Sequence, residues 1–157
     1  MPYTLQPLLR IRTMREDRAS GELSAARREL AAAEAALEER RRDLAEYEKT
    51  KEERRDRIYD AIIGRTVSRD QIDLANEGVA RIDEEGALKV DNVARAEGER
   101  KKREEATIVA KRNLSLATRD RMKIDEHKSI WIAEDAAEQE HRAEGELEDF
   151  IVRKLEI

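Results

Sequence analysis

Cysteine is absent from the 157 residues, and the chain holds only two prolines, six glycines and 3% aromatics. Without cysteine there is neither a disulfide framework nor a thiolate metal site, which fits a reducing compartment. So few aromatics leave little from which to build a layered globular core. No window approaches the roughly 20 apolar residues of a membrane span. The opening Met1-Pro2-Tyr3-Thr4-Leu5 lacks a basic segment followed by an apolar run, so a soluble, uncleaved chain without direct membrane insertion is expected. Phosphate-binding loops, dinucleotide fingerprints, nucleophile elbows and paired zinc ligands are also missing. The reading is of a protein that is not an enzyme and uses no cofactor and no metal.

What the chain has in abundance is charge, at 44% of residues with a net of −5. Residues 1–63 and 64–124 are nearly balanced, but residues 125–157 carry 4 basic and 11 acidic side chains. An acidic tail repels nucleic acid and anionic lipid and suits a basic protein surface. Disorder is the competing explanation of so much charge. Heptads argue against it.

Leu9, Leu23, Leu30, Leu37, Leu44 and Ile58 fall at multiples of seven, with Glu16 and Lys51 in the two skipped slots. Three residues on from this row come Ala19, Ala26, Ala33, Tyr47 and Ala61, a coiled-coil seam with one small-residue side. A second, weaker seam joins Ile72, Val79, Gly86, Val93, Thr107 and Leu114 to Ala75, Ile82, Ala96, Ala110, Ala117, Ile124 and Trp131, interrupted by Lys89, Arg100, Arg103, Arg121 and Lys128. Between the seams lie the only strong stop and start signals of the interior. Gly64 can take the left-handed conformation that ends a helix, and Ser68 with Gln71 has the spacing of a capping box. The expected fold is all-α, with two long helices in an antiparallel coiled-coil hairpin: helix 1 at about 5–63, a bend at 64–68, and helix 2 at about 69–150.

An antiparallel pair places residues whose numbers have a nearly constant sum opposite one another. Matching Ile58 to Ala75 and Ala61 to Ile72 sets that sum at 133 and centres the bend between Thr66 and Val67. The same register puts Tyr47 on Gly86, Leu37 on Ala96, Leu23 on Ala110, Ala19 on Leu114 and Leu9 on Ile124, so large faces small. Elsewhere Leu44 meets Lys89, Leu30 meets Arg103 and Arg40 meets Val93; basic stems must then lie along the seam. A marginally stable, flexible middle is expected. Trp131 is level with Pro2, so residues 132–150 form an acidic overhang without a partner in the hairpin, roughly 30 Å long at 1.5 Å per residue.

Isolated motifs carry less. Glu138-x-x-His141 has the spacing used by di-metal bundles, but those need two such motifs and two further glutamates. A solvated helix face accounts for it. His127 and His141 stand roughly 21 Å apart along a helix and cannot share a metal. The runs Arg40-Arg41-Arg42, Arg54-Arg55 and Lys101-Lys102-Arg103 sit among glutamates without interleaved aromatics, so no nucleic-acid partner is expected. Trp131 and Phe150 are the sole tryptophan and phenylalanine. Trp131 can close the last seam layer or act as a docking hot spot.

The stretch Tyr3-Thr4-Leu5-Gln6-Pro7-Leu8-Leu9-Arg10-Ile11-Arg12, followed by Arg15-Glu16-Asp17-Arg18-Ala19 and Glu22-Leu23, resembles the start of type III secretion stalk proteins of the YscO/FliJ (SctO) family. His127-Lys128-Ser129-Ile130-Trp131, with Glu138-Gln139-Glu140 and Glu144-Gly145-Glu146-Leu147-Glu148-Asp149-Phe150, is similar to that family's C-terminal segment. The resemblance implies a cytoplasmic two-helix rod, similar in shape to the rotor stalk of rotary ATPases and peripheral at the inner-membrane base of the secretion apparatus. The open end would enter the pore of the hexameric secretion ATPase and stimulate hydrolysis. The bend would point to the cytoplasmic domain of the export gate, and escort chaperones would be further partners. Flagellar and virulence systems are not distinguished.

On this reading Leu5, Leu9, Ile124 and Trp131, with the acidic tail, are expected to contact the ATPase. Tyr59, Ile62, Ile63 and Val67, apolar groups beside a bend with little core of its own, are expected at the gate. When free, the protein is expected to be a monomeric rod of about 120 Å, from some 80 helical residues at 1.5 Å each. Two rivals stand beside it: a holdase chaperone clamping unfolded clients between helical arms, and a structural coiled coil dimerising through the weak seam of helix 2.

Overall fold

The computed structural model describes residues 2–155. Two helices account for nearly all of it: α1, Gln6–Asp60, and α2, Arg69–Leu155. They pack antiparallel as a coiled-coil hairpin, with no strand among the described residues, and α2 overhangs α1 at the open end. Pro7 sits in the first turn of α1, where a missing amide leaves no intrahelical bond unmade. Exposed i, i+4 pairs such as Arg18–Glu22, Arg81–Glu77 and Arg95–Asp91 run along both helices, each contributing roughly 0.3–0.5 kcal/mol.

Contacts divide the chain into two compact units, one of Ser24–Ile108 and the other of the residues up to Leu23 with those from Val109 on. In the Ser24–Ile108 unit the buried seam is Leu37, Tyr47, Ala75, Val79 and Ile82. The register sum of 133 is realised directly: the Tyr47 ring lies against Gly86, and Thr107 Oγ1 donates to the Ala26 carbonyl at 3.3 Å. Lys51, one of the skipped slots, faces Asp83 at 3.7 Å. Leu30, Leu44, Lys89, Val93 and Arg103 are half-buried. Arg103 turns its guanidinium out to Glu29 and Glu99, at 2.6 and 2.8 Å, as a basic stem on a seam must.

In the other unit Tyr3, Leu9, Ala19 and Leu23 are buried. Here Arg12 donates to Asp120 at 2.7 Å. Glu16, the second skipped slot, accepts from Thr118 Oγ1 at 2.8 Å and from Arg121, which also reaches Asp125. Both charged slots are thus filled by interhelical pairs. No side chain is fully enclosed among the described residues, so each leucine contributes less than the roughly 1.5–3 kcal/mol of complete burial.

One layer differs from the sequence expectation. Ala61 was matched to Ile72, but α1 gives way at Asp60 and both residues are exposed. The amides of Ile62 and Ile63 both donate to the Tyr59 carbonyl at 2.9 Å, which starts the turn before Ala61 can present a seam face. Gly64 then takes φ 73°, a left-handed conformation that L side chains rarely adopt.

Candidate functional site

The new helix is started by its own side chains. The Ser68 amide donates to Gln71 Oε1 at 2.8 Å, and the Gln71 amide donates to Ser68 Oγ at 3.3 Å, a reciprocal capping box. Asp70 in the first turn of α2 adds a favourable charge at the positive end of the helix dipole. Beside this restart lies a groove of about 480 Å³ lined by Ile58, Ala61, Ile62, Val67, Leu74 and Gly78, together with Arg65, Thr66 and Gln71.

Of the four residues singled out for this end, Ile62 and Val67 line the groove. Tyr59 is half-buried outside it, and Ile63 stands 68% exposed. Leu74, 66% exposed and part of the groove wall, was not singled out. Its signal was available: Leu74 lies off the seam row of Ile72 and Val79, so an apolar side chain there had no intramolecular use.

Further along the same unit, Tyr47 donates its hydroxyl to the Ile82 carbonyl, and the Arg54 guanidinium lies 5.9 Å from the ring centroid. Arg54 donates to Glu85 at 2.8 Å. That hydrogen bond, with the guanidinium's charge, holds the Glu85 carboxyl below its ordinary value; the same bond, with the carboxylate's charge, raises Arg54, and partial burial opposes both shifts.

The second candidate surface lies at the open end. Tyr3, ahead of α1, is 7% exposed and shares a 2.9 Å hydrogen bond with His127 Nδ1. Its ring centroid is 5.5 Å from that of Trp131, tilted by 50°. Trp131 is half-buried, so it both closes the seam and keeps a reachable edge. It opens onto a depression of about 270 Å³ with Glu134, Asp135, Glu138, Gln139 and Arg142.

Leu5 is half-buried, Leu9 is 8% exposed inside the seam, and Ile124 is half-buried with its carbonyl 3.4 Å from the Tyr3 hydroxyl. The burial of Tyr3 was not foreseen. It precedes the helix, and no periodicity reaches it. Beyond Asp135, every side chain described as far as Ile151 is exposed.

Among the described residues no three His, Cys, Asp or Glu side chains are grouped to hold a metal ion. No helix there is long and apolar enough to cross a membrane. The chemistry of the two surfaces is apolar at the bend and acidic with one tryptophan at the open end.

The family model described as Type III secretion protein YscO matches residues 5–153. The chain belongs to the YscO family. The structure of a YscO homolog from Chlamydia trachomatis has the same fold, with a TM-score of 0.74 at 20% identity, covering 99% of this chain and 94% of that one. No curated protein matches the sequence. The protein is thus a type III secretion protein of the YscO family with a helical-hairpin fold.

Proposed function

We propose that this YscO-family protein is the central stalk of a type III secretion export apparatus, coupling the hexameric secretion ATPase to the export gate and stimulating hydrolysis by inserting into the ring. The observation that carries the reading is the overhang. In a chain that matches the family over residues 5–153, α2 continues past the Tyr3–Trp131 contact as an exposed acidic helix. A lone polar helix of this kind is marginal in water and gains from a partner. A basic pore lining is the complementary surface.

Leu5 and Trp131, which keep exposed edges, form the apolar part of that contact. Leu9 and Ile124 lie in the seam beneath and hold them in place. At the bend, Ile62, Ile63 and Val67, with Tyr59 beside them, meet the cytoplasmic domain of the export gate, and Leu74 extends the apolar surface. A single hairpin in a sixfold pore cannot touch all six subunits alike, so it favours particular nucleotide states in turn and coordinates hydrolysis. The location that follows is cytoplasmic, at the inner-membrane base of the apparatus, with escort chaperones as further partners.

Turnover of the cognate ATPase hexamer tests the proposal. Stoichiometric full-length chain raises the rate, and removal of residues 132–157 weakens the effect. An unchanged rate with the full chain sinks the stalk reading. The holdase rival draws on the same groove and the exposed Ile63, Ile72 and Leu74. It predicts suppression of client aggregation with no ATPase present.

A further inference from the structure

The face of α2 turned away from α1 carries a second heptad pattern. Arg112, Leu116, Arg119, Lys123, Glu126, Ile130, Ala133, Ala137, Glu140, Glu144, Leu147 and Ile151 follow one another at alternating steps of four and three. At about 100° per residue these positions cluster on one side of the helix, roughly opposite Ala110, Leu114, Ala117 and Ile124 of the seam with α1. All twelve are exposed, including Leu116, Ile130, Leu147 and Ile151 at 54–62% of full accessibility. The whole face lies within one compact unit.

Its charges are sorted. The half from Arg112 to Lys123 is basic and apolar, and the half from Ala133 to Ile151 is acidic and apolar. Among the described residues Arg119, Lys123, Glu140 and Glu144 form no ion pair, unlike neighbours such as Arg121 with Asp125 or Arg142 with Glu138. When the sequence of this face is reversed, four of its six layers match in charge or apolar character, the Arg112–Ile151 and Glu126–Ala137 layers being the exceptions. About a centre between Trp131 and Ile132, Arg119 falls opposite Glu144, Lys123 opposite Glu140, Leu116 opposite Leu147 and Ile130 opposite Ala133. Each of the twelve positions maps onto another of the twelve.

We infer that this face is the interface for a second copy of the chain, which lies antiparallel along α2 with the two-fold axis passing beside Trp131 and Ile132. A two-fold contact must be self-complementary, and charge sorting of this kind is what such symmetry demands. The paired charges select the antiparallel register, because a parallel or shifted copy would set like charges together. Few apolar layers take part, so the association is weak and sensitive to salt. The expectation of a free monomer gives way to a concentration-dependent equilibrium. Pairing also covers the overhang and would hold it out of the ATPase ring; that consequence rests on the stalk reading, whereas the pairing does not.

Sedimentation equilibrium of the full-length chain alone, without ATPase, is the test. The wild type should show a monomer–dimer equilibrium whose dissociation constant rises at least about tenfold between about 50 and about 500 mM salt. Arg119→Glu with Lys123→Glu should abolish dimers at equal circular dichroism, and so should Glu140→Lys with Glu144→Lys. An equimolar mixture of the two variants should recover a one-to-one dimer, because each supplies the charge the other lacks. A wild type that stays monomeric at about 200 µM in low salt, where screening is least, overturns the inference. So do reversals that leave association unchanged, or a mixture that stays monomeric. If monomeric wild type instead sediments with phosphatidylglycerol-containing vesicles and Arg119→Glu with Lys123→Glu does not, the basic half faces lipid and the pairing is refuted.

Discussion

A methyl group placed on Gly86 would lie 2.7 Å from the Tyr47 hydroxyl and 2.8–2.9 Å from two carbons of its ring. Tyr47 is 5% exposed and tied to the Ile82 carbonyl, so the ring has nowhere to retreat. Gly86→Ala should therefore destabilise the protein by about 1–3 kcal/mol through overpacking, against the usual gain of replacing glycine in a helix. Gly98, with nothing within 4 Å of an added carbon, is the control. There the substitution to alanine should stabilise by about 0.5–1 kcal/mol, and thermal denaturation of the two variants separates the cases. Glu85 supplies a pH prediction at the same scale. Its carboxyl is held below the ordinary 4.5 by the hydrogen bond from Arg54, so its contribution to stability is present above that pH and is lost as the pH falls and the folded-state carboxylate protonates. Glu85→Gln should flatten this acid limb by a small amount, as befits an exposed pair, and leave the slope above neutrality unchanged in denaturation curves taken across pH.

At the scale of the element, each helix is held by a thin seam whose quality varies along its length. Val79 and Ile82 are buried, whereas the stretch with Lys89, Val93 and Arg103 is only half-buried and carries basic stems in place of apolar layers. Amide hydrogen exchange should then be faster at residues 89–103 of α2 than at 75–86, and equal protection would show that the basic layers stabilise as well as the apolar ones. The start of α2 rests on a different device. Removing the Ser68 hydroxyl by Ser68→Ala leaves one orphan amide of the capping box without its acceptor and should cost about 1 kcal/mol, read as a lower denaturation midpoint with the helical spectrum retained. The helix of the overhang relies on propensity and on pairs such as Arg142–Glu138.

At the scale of the whole molecule, the chain is a YscO-family hairpin with an apolar groove at its bend. The apolar groove at the bend yields a prediction for the proposed gate contact. Ile63→Asp with Val67→Asp should abolish capture of the gate's cytoplasmic domain while circular dichroism is unchanged, since Ile63 is exposed and Val67 lines an open groove. Retained capture would move the gate contact elsewhere, and Leu74→Asp would then show whether the groove takes part at all.

Much of this hairpin was legible in the residues alone. Heptad spacing states which side of a helix is apolar, a left-handed glycine and a reciprocal cap state where the chain turns, and a constant sum then sets the register, as Tyr47 on Gly86 shows. These signals are local and periodic, so the sequence determined both helices, the bend and the alignment of the seam. Only the tertiary structure decided what lies off that period. Glu16 and Lys51 find their partners on the other helix, Tyr3 is buried by His127 and Trp131 from far along the chain, and Ala61 leaves the seam because α1 ends at Asp60 and not near the expected 63. The physical reason is the same in each case: a side chain's direction follows from its own helix, but whether it is covered depends on atoms contributed by another.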